Sequence, residues 1–325
     1  MHLYKMMTWK EIRHTLGGLK AYFAEKKQNK NRMVASYGSR SAWIGQFIEA
    51  RFGRQAYGRW AVIHISGQPL TPIIFDGARY KIFFTEENVH VPESHWQRYE
   101  HLFLENRRVA LSIGFDYINH PKYCCFPYWF MRHFKPTDTL ENIKTRIEKW
   151  NNQLDRVART KACAMICRND YFGDRAIFAD MMESVVPMTY PGRFRHNDDD
   201  LFGEKYKDNK RAYLRQFKFN LCPENSDSEG YVTEKIFDAI SAGCIPVYWG
   251  SGNDPEPGMF NKDAIIFLTL NGDNTEALAK IKLLTENQEA YEEFVKQPYF
   301  TPEAPEMIWN MMQQLECKLR DIVEN

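Results

Sequence analysis

Long apolar runs are missing from this chain. No stretch of about 18 consecutive apolar residues, the length that a helix needs to cross a bilayer, occurs in it. Its first residues include no apolar segment of the signal-peptide type, and there is no Asn-x-Ser/Thr glycosylation site. From these absences we expect a cytoplasmic protein without a transmembrane helix.

A surplus of charge of one sign is also missing. The 325 residues include 43 basic and 42 acidic ones, which leaves a net charge of +1. Proteins that bind nucleic acids usually carry a marked surplus of Lys and Arg. The composition therefore predicts no nucleic-acid partner.

The cysteines are scattered along the chain, without a tight framework. An odd number of cysteines without a tight framework favours reduced cytosolic thiols over disulfides or a zinc site. The seven are Cys124, Cys125, Cys163, Cys167, Cys222, Cys244 and Cys317. The patterns G-x-x-x-x-G-K-Ser/Thr, H-E-x-x-H and G-x-G-x-x-G, which mark P-loop, zinc-protease and dinucleotide sites, do not occur either.

A basic segment opens the chain. Residues 1–32 carry eight Lys and Arg against two Glu, and apolar residues recur at helical spacing from Trp9 to Phe23. Two interpretations are open. The segment makes a peripheral contact with an anionic membrane surface, such as the inner membrane, or, more commonly, it is a helix packed on its own protein with a solvated basic face.

Alternating strand and helix patterns predict an α/β protein with parallel sheets. In a first domain, residues 1–150, strand-like runs occur at 32–37, 60–65, 80–85 and 109–115. The second domain, residues 151–302, opens with a strand at 161–167 and includes a polar loop at 191–210 that is long enough to be a lid. Residues 303–325 form a C-terminal amphipathic helix.

Residues 217–251 carry the most information. Phe217, Phe219 and Leu221 alternate with polar residues, as in a strand, and a polar loop follows. The hydroxyl of Thr233 is suited to cap a helix by accepting a bond from an early backbone N–H, and Gly243 is suited to end it. An apolar run at 244–249 completes a strand–loop–helix–strand unit, the building block of a parallel sheet.

The polar loop enters this helix beside Lys235. The N-terminus of a helix presents unpaired N–H groups and the positive end of the helix dipole, so anions bind there. Lys235 adds a full positive charge, and Glu234 adds an acceptor for sugar hydroxyls. The pattern favours a nucleotide diphosphate ligand, although many helices in such units bind no ligand.

Four segments resemble the donor-binding motif of the α-1,3/4-fucosyltransferases: FNLC (219–222), EN (224–225), GYVTEK (230–235) and IPVYWGS (245–251). Members of that family are inverting enzymes that use GDP-fucose and a glycan acceptor. The resemblance implies the GT-B fold, in which two Rossmann-like domains have parallel sheets that face each other across a cleft. It assigns acceptor binding to residues 1–150 and GDP-fucose binding to residues 151–302.

The segment TEEN (85–88) resembles the family's Thr-Gly-Glu-Asn segment, whose Glu is the proposed general base. This correspondence assigns the base to Glu87, and ALSIGFD (110–116), which resembles a further family segment, supports the alignment. Glu86 stands in place of the family's Gly, which is a departure from the pattern.

At the donor, the resemblance implies contacts from Asn225, Tyr231, Glu234 and Lys235. Tyr231 would stack on or hydrogen-bond to the nucleotide or fucose, and Glu234 would hold the ribose; a buried Tyr231 with a satisfied hydroxyl is the structural alternative. The family also has an Arg just before its lid that stabilises the leaving diphosphate. We assign that role to Arg195, with Arg193 as the alternative.

No metal ion or other cofactor is expected, because Lys235 and an Arg neutralise the diphosphate. Residues 198–200 (DDD) have the form of the metal-binding D-x-D motif of another transferase fold. An acid-rich turn explains them better.

The sequence thus predicts a bacterial, cytoplasmic α-1,3/4-fucosyltransferase. It would transfer L-fucose from GDP-fucose to GlcNAc in an N-acetyllactosamine-type glycan and give a product of the Lewis-antigen type. A GT-B transferase that uses another GDP-sugar is one alternative, and an inactive nucleotide- or glycan-binding module is another. The linkage, the acceptor chain type and the oligomeric state stay open.

Overall fold

The computed structural model describes residues 19, 22–24, 26–27, 34–37, 42–53, 60–64, 71–92, 94, 96–100, 104, 106–152 and 159–324. They form two compact units, one of Met1–Asp138 with Asn310–Asn325 and one of Thr139–Trp309. The units differ from the predicted domains in two places. The first ends at Asp138 rather than at residue 150, and most of the C-terminal segment belongs to it.

The first unit is built on a parallel sheet. Its described strands are adjacent in chain order: β1 (Val34–Tyr37), β2 (Trp60–His64), β3 (Tyr80–Phe84), β4 (Leu111–Gly114) and β5 (Tyr123–Cys125). Its helices include α1 (Ala42–Phe52), α2 (Thr71–Phe75) and α3 (Tyr128–His133). The Trp43 ring of α1 meets the Phe130 ring of α3 edge-on, and the Trp43 indole N–H donates to the carbonyl of Phe134 at 2.8 Å.

The second unit has its own parallel sheet, in the order β10-β9-β8-β6-β7. These strands are β6 (Lys161–Ala164), β7 (Met188–Thr189), β8 (Phe217–Leu221), β9 (Ile245–Tyr248) and β10 (Ile266–Phe267). The chain adds β7 on one side of β6 and then returns to add β8, β9 and β10 on the other. The strand order therefore reverses between β6 and β8, and the carboxyl ends of such a pair are where ligands bind in open α/β sheets.

Helices surround this second sheet. They are α4 (Leu140–Asn151), α5 (Asp174–Glu183), α6 (Lys210–Leu214), α7 (Glu234–Ala242), α8 (Thr275–Glu286), α9 (Gln288–Phe294) and α10 (Ala304–Glu324). The last of these is divided, since its residues up to Trp309 belong to the second unit and the rest to the first.

Helix α4 shows why the boundary lies before residue 150. It begins at Thr139 with a capping box, in which Thr139 and Asn142 satisfy each other's backbone N–H groups. At its end, Asn151 exchanges two hydrogen bonds of 2.9 and 3.2 Å with the backbone of Phe300. The Trp150 ring stacks on the side-chain ring of Phe300, with a distance of 5.7 Å between the ring centroids. These contacts place α4 in the second unit.

The predicted α/β class with parallel sheets is confirmed, and most predicted elements are present with slightly different ends. Gly243 adopts the left-handed conformation (φ +75°) that ends α7, as predicted. Four of these elements were not predicted: β5, α2, α3 and α6. Each has only three to six residues, too few for a periodic pattern to develop.

Two further predictions concern the chain as a whole. Among the described residues, no helix has the length and apolar character needed to cross a membrane. The basic segment at residues 1–32 lies mostly outside the described residues, so its contact with a membrane, like the cytoplasmic location, stays a prediction. All seven cysteines are described, and none of them forms a disulfide.

Candidate functional site

The loops that follow β6 and β8 meet where the strand order reverses. Cys167 follows β6 and is buried, while Glu224 and Asn225 follow β8. The Glu224 N–H donates to the carbonyl of Trp249 after β9 at 2.9 Å, which fixes the β8 loop against its neighbour. The two loops bring polar side chains to the carboxyl edge of the sheet, where the parallel-sheet rule places ligands.

Glu224 is the centre of the site, and its side chain is fully buried. Its Oε1 accepts the backbone N–H of Thr233 at 2.8 Å, and its Oε2 accepts the Thr233 hydroxyl at 2.7 Å and the Lys235 ammonium at 2.7 Å. A buried carboxylate is costly unless donors and a positive charge compensate it. These three donors provide that compensation and hold the start of α7 at a fixed place.

A glycine gives Glu224 its space. Gly250 has φ +137°, and a Cβ on it would lie 2.7 and 2.8 Å from the Cγ and Cβ of Glu224. Real Cβ atoms do not approach other carbons so closely. Gly250 therefore lets the chain after β9 pass directly over the buried carboxylate.

Thr233 corrects one prediction. It is the residue before α7, but its hydroxyl does not cap the helix as predicted. The hydroxyl donates to Glu224 and accepts a bond of 2.8 Å from the Lys235 ammonium. The prediction was wrong because a buried carboxylate and an ammonium group, both charged, are stronger partners than a backbone N–H.

Lys235 lies on the first turn of α7, as predicted, and its side chain keeps 21% of its exposure. Its ammonium has three donors, of which the contacts with Glu224 and Thr233 use two. The ammonium thus sits at the positive end of the α7 dipole with one side at the surface. This combination suits an anion.

Asn225 has a partner that the sequence did not reveal. Its side-chain carbonyl accepts a bond from Nη2 of Arg175 on the first turn of α5. Nη1 of Arg175 donates to the carbonyl of Asn169 and to the Cys167 sulfur. Arg175 therefore ties the β6 loop to the β8 loop across the reversal in strand order.

Cys167 is close to two cations, Arg175 and Lys235. Burial raises the pKa of its thiol, and the positive charges of Arg175 and Lys235 oppose that rise. Cys222 is fully buried, and burial raises the pKa of its thiol well above the usual value. We therefore assign no nucleophilic role to either cysteine, because a thiol must ionise to act as one.

Tyr231 and Glu234 flank this centre. Tyr231 is almost fully buried, at 1% exposure. Two roles for its ring therefore stay open, the predicted contact with the ligand and a structural role in the protein interior. Glu234 is partly exposed, and its carboxylate lies 3.7 Å from the Lys210 ammonium on α6. Neither of their predicted contacts with the donor is tested by these geometries.

Arg195 lies in different surroundings from Lys235. Its guanidinium pairs with Asp180 at 2.6 Å and Glu183 at 3.1 Å, both on α5. The hydrogen bonds to Asp180 and Glu183 stabilise the charged guanidinium, so they raise the pKa of Arg195 above its usual value. That Arg195 binds the diphosphate stays a prediction. The alternative, that Arg193 binds it, also stays a prediction, and the side chain of Arg193 is exposed.

The loop before Arg195 is nevertheless close to the site. The Phe194 N–H donates to the carbonyl of Cys167 at 3.3 Å. A Cβ at Gly192 would overlap that same carbonyl oxygen, so only glycine fits there. The beginning of the predicted lid therefore packs directly on the β6 loop.

The acidic turn at residues 198–200 consists of three separately paired carboxylates. Asp198 pairs with Lys161 at 2.9 Å, Asp199 with His196 at 2.9 Å, and Asp200 with Lys205 at 3.4 Å. The pKa of Asp198 is lowered because the bond to Lys161 and a backbone N–H outweigh burial. Within the described residues, no group of three or more His, Cys, Asp or Glu side chains is arranged to hold a metal ion.

In the first unit, Glu86 and Glu87 follow β3 and differ in exposure. Glu86 is buried, at 5% exposure, whereas Glu87 is partly exposed. The Thr85 hydroxyl accepts the Glu87 N–H at 3.2 Å and donates to the Glu87 carbonyl at 2.5 Å. This tight turn fixes the backbone of Glu87 and leaves its side chain accessible.

A histidine lies three residues beyond Glu87. The ring of His90 contacts Asp116, which follows β4, at 3.1 Å and Glu100 at 3.2 Å. Tyr123 on β5 donates its hydroxyl hydrogen to Asp116 at 3.0 Å and accepts the Asp116 N–H at 2.8 Å. The bond to Asp116 raises the pKa of His90, Glu100 adds to the rise, and burial opposes it.

This network predicts a pH-dependent effect of His90→Gln. The pKa of His90 is raised in the folded state, so its contribution to stability is full below about pH 6.5 and is lost as the pH rises through the folded pKa. We expect the variant to melt about 2–4 °C below the parent at pH 6, with a smaller difference at pH 9. Thermal melts at both pH values measure this.

The control for that experiment is His196→Gln. His196 pairs with Asp199, but both side chains are largely exposed, and such surface pairs contribute little to stability. A loss for His90→Gln that is equal at pH 6 and pH 9 would show that the neutral ring, rather than the charged one, contributes to stability.

The chain is similar to known proteins in sequence and in fold. The model of glycosyltransferase family 10 (fucosyltransferase), C-terminal part, matches residues 156–323. The chain is 36% identical over 141 residues to alpha-(1,3)-fucosyltransferase FucT of Helicobacter pylori, covering 43% of this chain and 28% of that protein. It is 30% identical over 171 residues to GDP-fucose protein O-fucosyltransferase 3 of Xenopus laevis, covering 51% and 35%. The matches thus span about a third of these curated relatives.

The fold matches solved structures over most of their length. A crystal structure of an alpha1,3-fucosyltransferase superposes with a TM-score of 0.58 at 21% identity, covering 91% of this chain and 92% of that one. A crystal structure of alpha1,3-fucosyltransferase with GDP-fucose gives a TM-score of 0.54 at 21% identity, covering 83% and 79%. The predicted GT-B fold class is thereby confirmed. Because the family model covers more than half of the chain, including α5, β8, α7 and β9, the chain belongs to glycosyltransferase family 10, the fucosyltransferase family.

Proposed function

We propose that this protein is an inverting fucosyltransferase that uses GDP-fucose. We further propose that it transfers L-fucose to GlcNAc in an N-acetyllactosamine-type glycan through an α-1,3 or α-1,4 linkage, which gives a Lewis-type product. The observation that carries the proposal is the group of Glu224, Thr233 and Lys235 at the start of α7, in a chain that belongs to the fucosyltransferase family.

Charge and position support the donor assignment. The Lys235 ammonium and the N-terminus of α7 are oriented toward the carboxyl edge of the sheet, beside the reversal in strand order. A diphosphate bound there would meet the ammonium group and the N-terminus of the helix together. Asn225, Tyr231 and Glu234 lie on the segment that surrounds this point and are the proposed contacts to the nucleotide and fucose.

The proposed reaction is a single displacement. The acceptor oxygen forms a bond to the anomeric carbon of fucose from the face opposite GDP, and the bond from that carbon to the diphosphate oxygen breaks. The departing GDP keeps the electron pair, and Lys235 with the helix end stabilises its charge. The acceptor proton passes to a carboxylate, for which we propose Glu87. No metal ion takes part in this proposal.

Exposure supports Glu87 over its neighbour. A general base has to come within hydrogen-bond reach of the acceptor hydroxyl. Glu87 is partly exposed, whereas Glu86 is buried at 5%. The choice of base therefore agrees with both the family segment and the accessibility of the two side chains.

A transfer assay tests the function. The protein is incubated in EDTA with GDP-fucose and, separately, with type 1 and type 2 N-acetyllactosamine acceptors, and the products are analysed by NMR. We expect a fucosylated product with inverted anomeric configuration and release of GDP. A parallel reaction with GDP-mannose tests another donor. A second parallel reaction, with a peptide that offers Ser and Thr hydroxyls, tests a protein acceptor, as in the name of the Xenopus relative.

The outcomes separate the alternatives. Transfer from another GDP-sugar in preference to GDP-fucose would show that the proposed donor is wrong. Transfer only to peptide hydroxyls would show that the proposed acceptor is wrong. GDP binding without transfer or hydrolysis would indicate an inactive binding module. Activity that disappears in EDTA and returns with manganese would contradict the metal-free mechanism.

Lys235→Ala is expected to lower the transfer rate by about two to three orders of magnitude, because it removes a charge that stabilises the leaving group. The same change leaves the buried Glu224 carboxylate without its cation, which costs about 3 kcal/mol of stability. Transfer rates, GDP affinity and thermal unfolding have to be measured together for this variant.

The matched control is the double variant Glu224→Gln with Lys235→Ala. A neutral amide in place of the carboxylate removes the uncompensated charge, so part of the lost stability should return. The transfer rate should not return, since the cation is still missing. Recovery of the rate along with the stability would show that Lys235 supports only the fold.

Glu87→Gln keeps the size of the side chain and removes the base. We expect transfer to fall by about 10²–10⁴-fold, with GDP affinity almost unchanged because the proposed donor residues belong to the second unit. Glu86→Gln is the matched control and should keep most of the activity. Transfer rates and calorimetric GDP binding of the two variants, side by side, check the assignment, and loss of activity in Glu86→Gln alone would move the base by one residue.

A further inference from the structure

Two exposed aromatic side chains lie side by side on the loop between β6 and α5. Tyr171 is 81% exposed, the largest fraction of any large apolar side chain among the described residues, and Phe172 is 54% exposed. Burial of an aromatic ring contributes strongly to folding, yet folding leaves both of these rings in water. Exposed apolar groups that are placed together are typical of a surface that contacts a ligand.

The loop holds these rings at the carboxyl edge of the second sheet. It follows β6, which lies beside β8 where the strand order reverses. The carbonyl of Asn169 in this loop accepts a bond from Arg175, and Arg175 also donates to Asn225 in the loop after β8. The two rings therefore belong to a loop that is joined directly to the proposed donor site.

Hydrogen bonds fix the conformation of this loop. The Asp170 carboxylate accepts the backbone N–H groups of Gly173 at 3.1 Å and Ala176 at 2.9 Å, which ties the loop to the start of α5. The side-chain amide of Asn169 donates to the Tyr171 hydroxyl at 3.0 Å, so the ring of Tyr171 is held as well. Side chains that are held before a ligand arrives lose less conformational entropy when they bind it.

The chemistry of the two rings suits a sugar. One face of a pyranose ring presents mainly C–H groups, and the electron-rich face of an aromatic ring attracts such hydrogens. The tyrosine hydroxyl adds a polar group that can bond to a sugar hydroxyl. A pair of exposed rings on a fixed loop can therefore bind a sugar by stacking.

Of the two substrates of the proposed reaction, the acceptor fits this position better. The proposed contacts to the nucleotide and fucose are Asn225, Tyr231, Glu234 and Lys235, all in the segment after β8. The two rings follow β6 and are outside that set. Because the acceptor hydroxyl has to reach the anomeric carbon of the donor, part of the acceptor must lie beside the donor, at the edge where these rings are exposed.

Charge and area argue against two other occupants. Residues 168–175 contain two Arg and two Asp, so the loop lacks the surplus of positive charge that favours an anionic membrane surface. Two aromatic rings bury at most about 150–250 Å² each. This area is well below the roughly 800 Å² per partner that a stable contact between two copies of the chain requires.

We propose that Tyr171 and Phe172 bind the acceptor by stacking on one of its sugar rings. This inference rests on the proposed function as a fucosyltransferase. It adds a contact from the second unit to the acceptor, and it makes these two residues determinants of acceptor affinity.

The test compares the double variant Tyr171→Ala with Phe172→Ala to the parent in steady-state transfer assays with GDP-fucose and N-acetyllactosamine. Loss of the stacking contacts should raise KM for the acceptor by about 5–30-fold. The value of kcat should change little, because the same contact is made in the ground state and in the transition state. Calorimetric GDP affinity and the rate of GDP-fucose hydrolysis without acceptor should also be unchanged.

Conservative variants show whether the ring itself is responsible. Tyr171→Phe and Phe172→Tyr keep both aromatic faces, so each should have an acceptor KM close to that of the parent. Phe75→Ala is the matched control. Phe75 is 56% exposed and ends α2 in the first unit, before the amino end of β3, and its removal should leave the acceptor KM unchanged.

Direct binding gives a measurement that does not depend on turnover. Saturation-transfer NMR of N-acetyllactosamine in the presence of GDP should show transfer from the parent protein to the sugar C–H hydrogens. The signal should be weaker with the double variant and unchanged with Phe75→Ala. Since both side chains are largely exposed, thermal melts of the double variant should match those of the parent.

Several results would overturn the inference. An acceptor KM that is unchanged in the double variant would show that the rings do not contact the acceptor. A rise in the dissociation constant for GDP, with acceptor KM unchanged, would show that they stack on the guanine instead. Binding to vesicles of phosphatidylcholine and phosphatidylglycerol that disappears in the double variant, again with acceptor KM unchanged, would assign the rings to a membrane.

Failure of this inference is distinct from failure of the proposed function. If the parent transfers fucose to N-acetyllactosamine and the double variant does so with the same KM, the inference alone is wrong. If the parent neither binds N-acetyllactosamine nor transfers fucose to it, the proposed acceptor is wrong and the inference fails with it.

Discussion

The buried carboxylate of Glu224 is the interaction on which the site depends. Transfer of a charge from water into a protein interior costs several kcal/mol unless donors surround it. Here the backbone N–H and hydroxyl of Thr233 and the ammonium of Lys235 supply those donors. The same contacts determine where α7 begins, because Glu224 binds the residue before the helix and a residue of its first turn.

The order of the strands decides which side chains can join this centre. Because β6 lies beside β8, the loop after β6 reaches Asn225 through Arg175, although the two residues are 50 positions apart. The loop at residues 191–195 approaches the same place because Gly192 allows contact with the backbone of Cys167. Three segments that are distant in the chain therefore meet at one edge of the sheet.

Sequence patterns predict local structure well here and long-range contacts poorly. The unit from Phe217 to Tyr248 could be predicted because alternation, helical spacing and Gly243 are local signals. The contact between Arg175 and Asn225 could not, because it follows from the neighbourhood of β6 and β8, and residue periodicity does not determine strand order. The partners of the Thr233 hydroxyl were missed for a related reason. A sequence shows a residue suited to cap a helix, but not the buried carboxylate that competes for it.

The two cations of the site differ in what compensates their charge, and this difference gives them different roles. Lys235 is paired with Glu224, so it supports the fold as well as any bound anion, and its removal affects both. Arg175 is held by neutral oxygens and a sulfur, and the Asp174 carboxylate interacts electrostatically with it, so its main contribution is to link the loops after β6 and β8. On this reasoning the Lys235–Glu224 pair, with its short contact, organises the start of α7, while Arg175 joins the two loops that meet beside it.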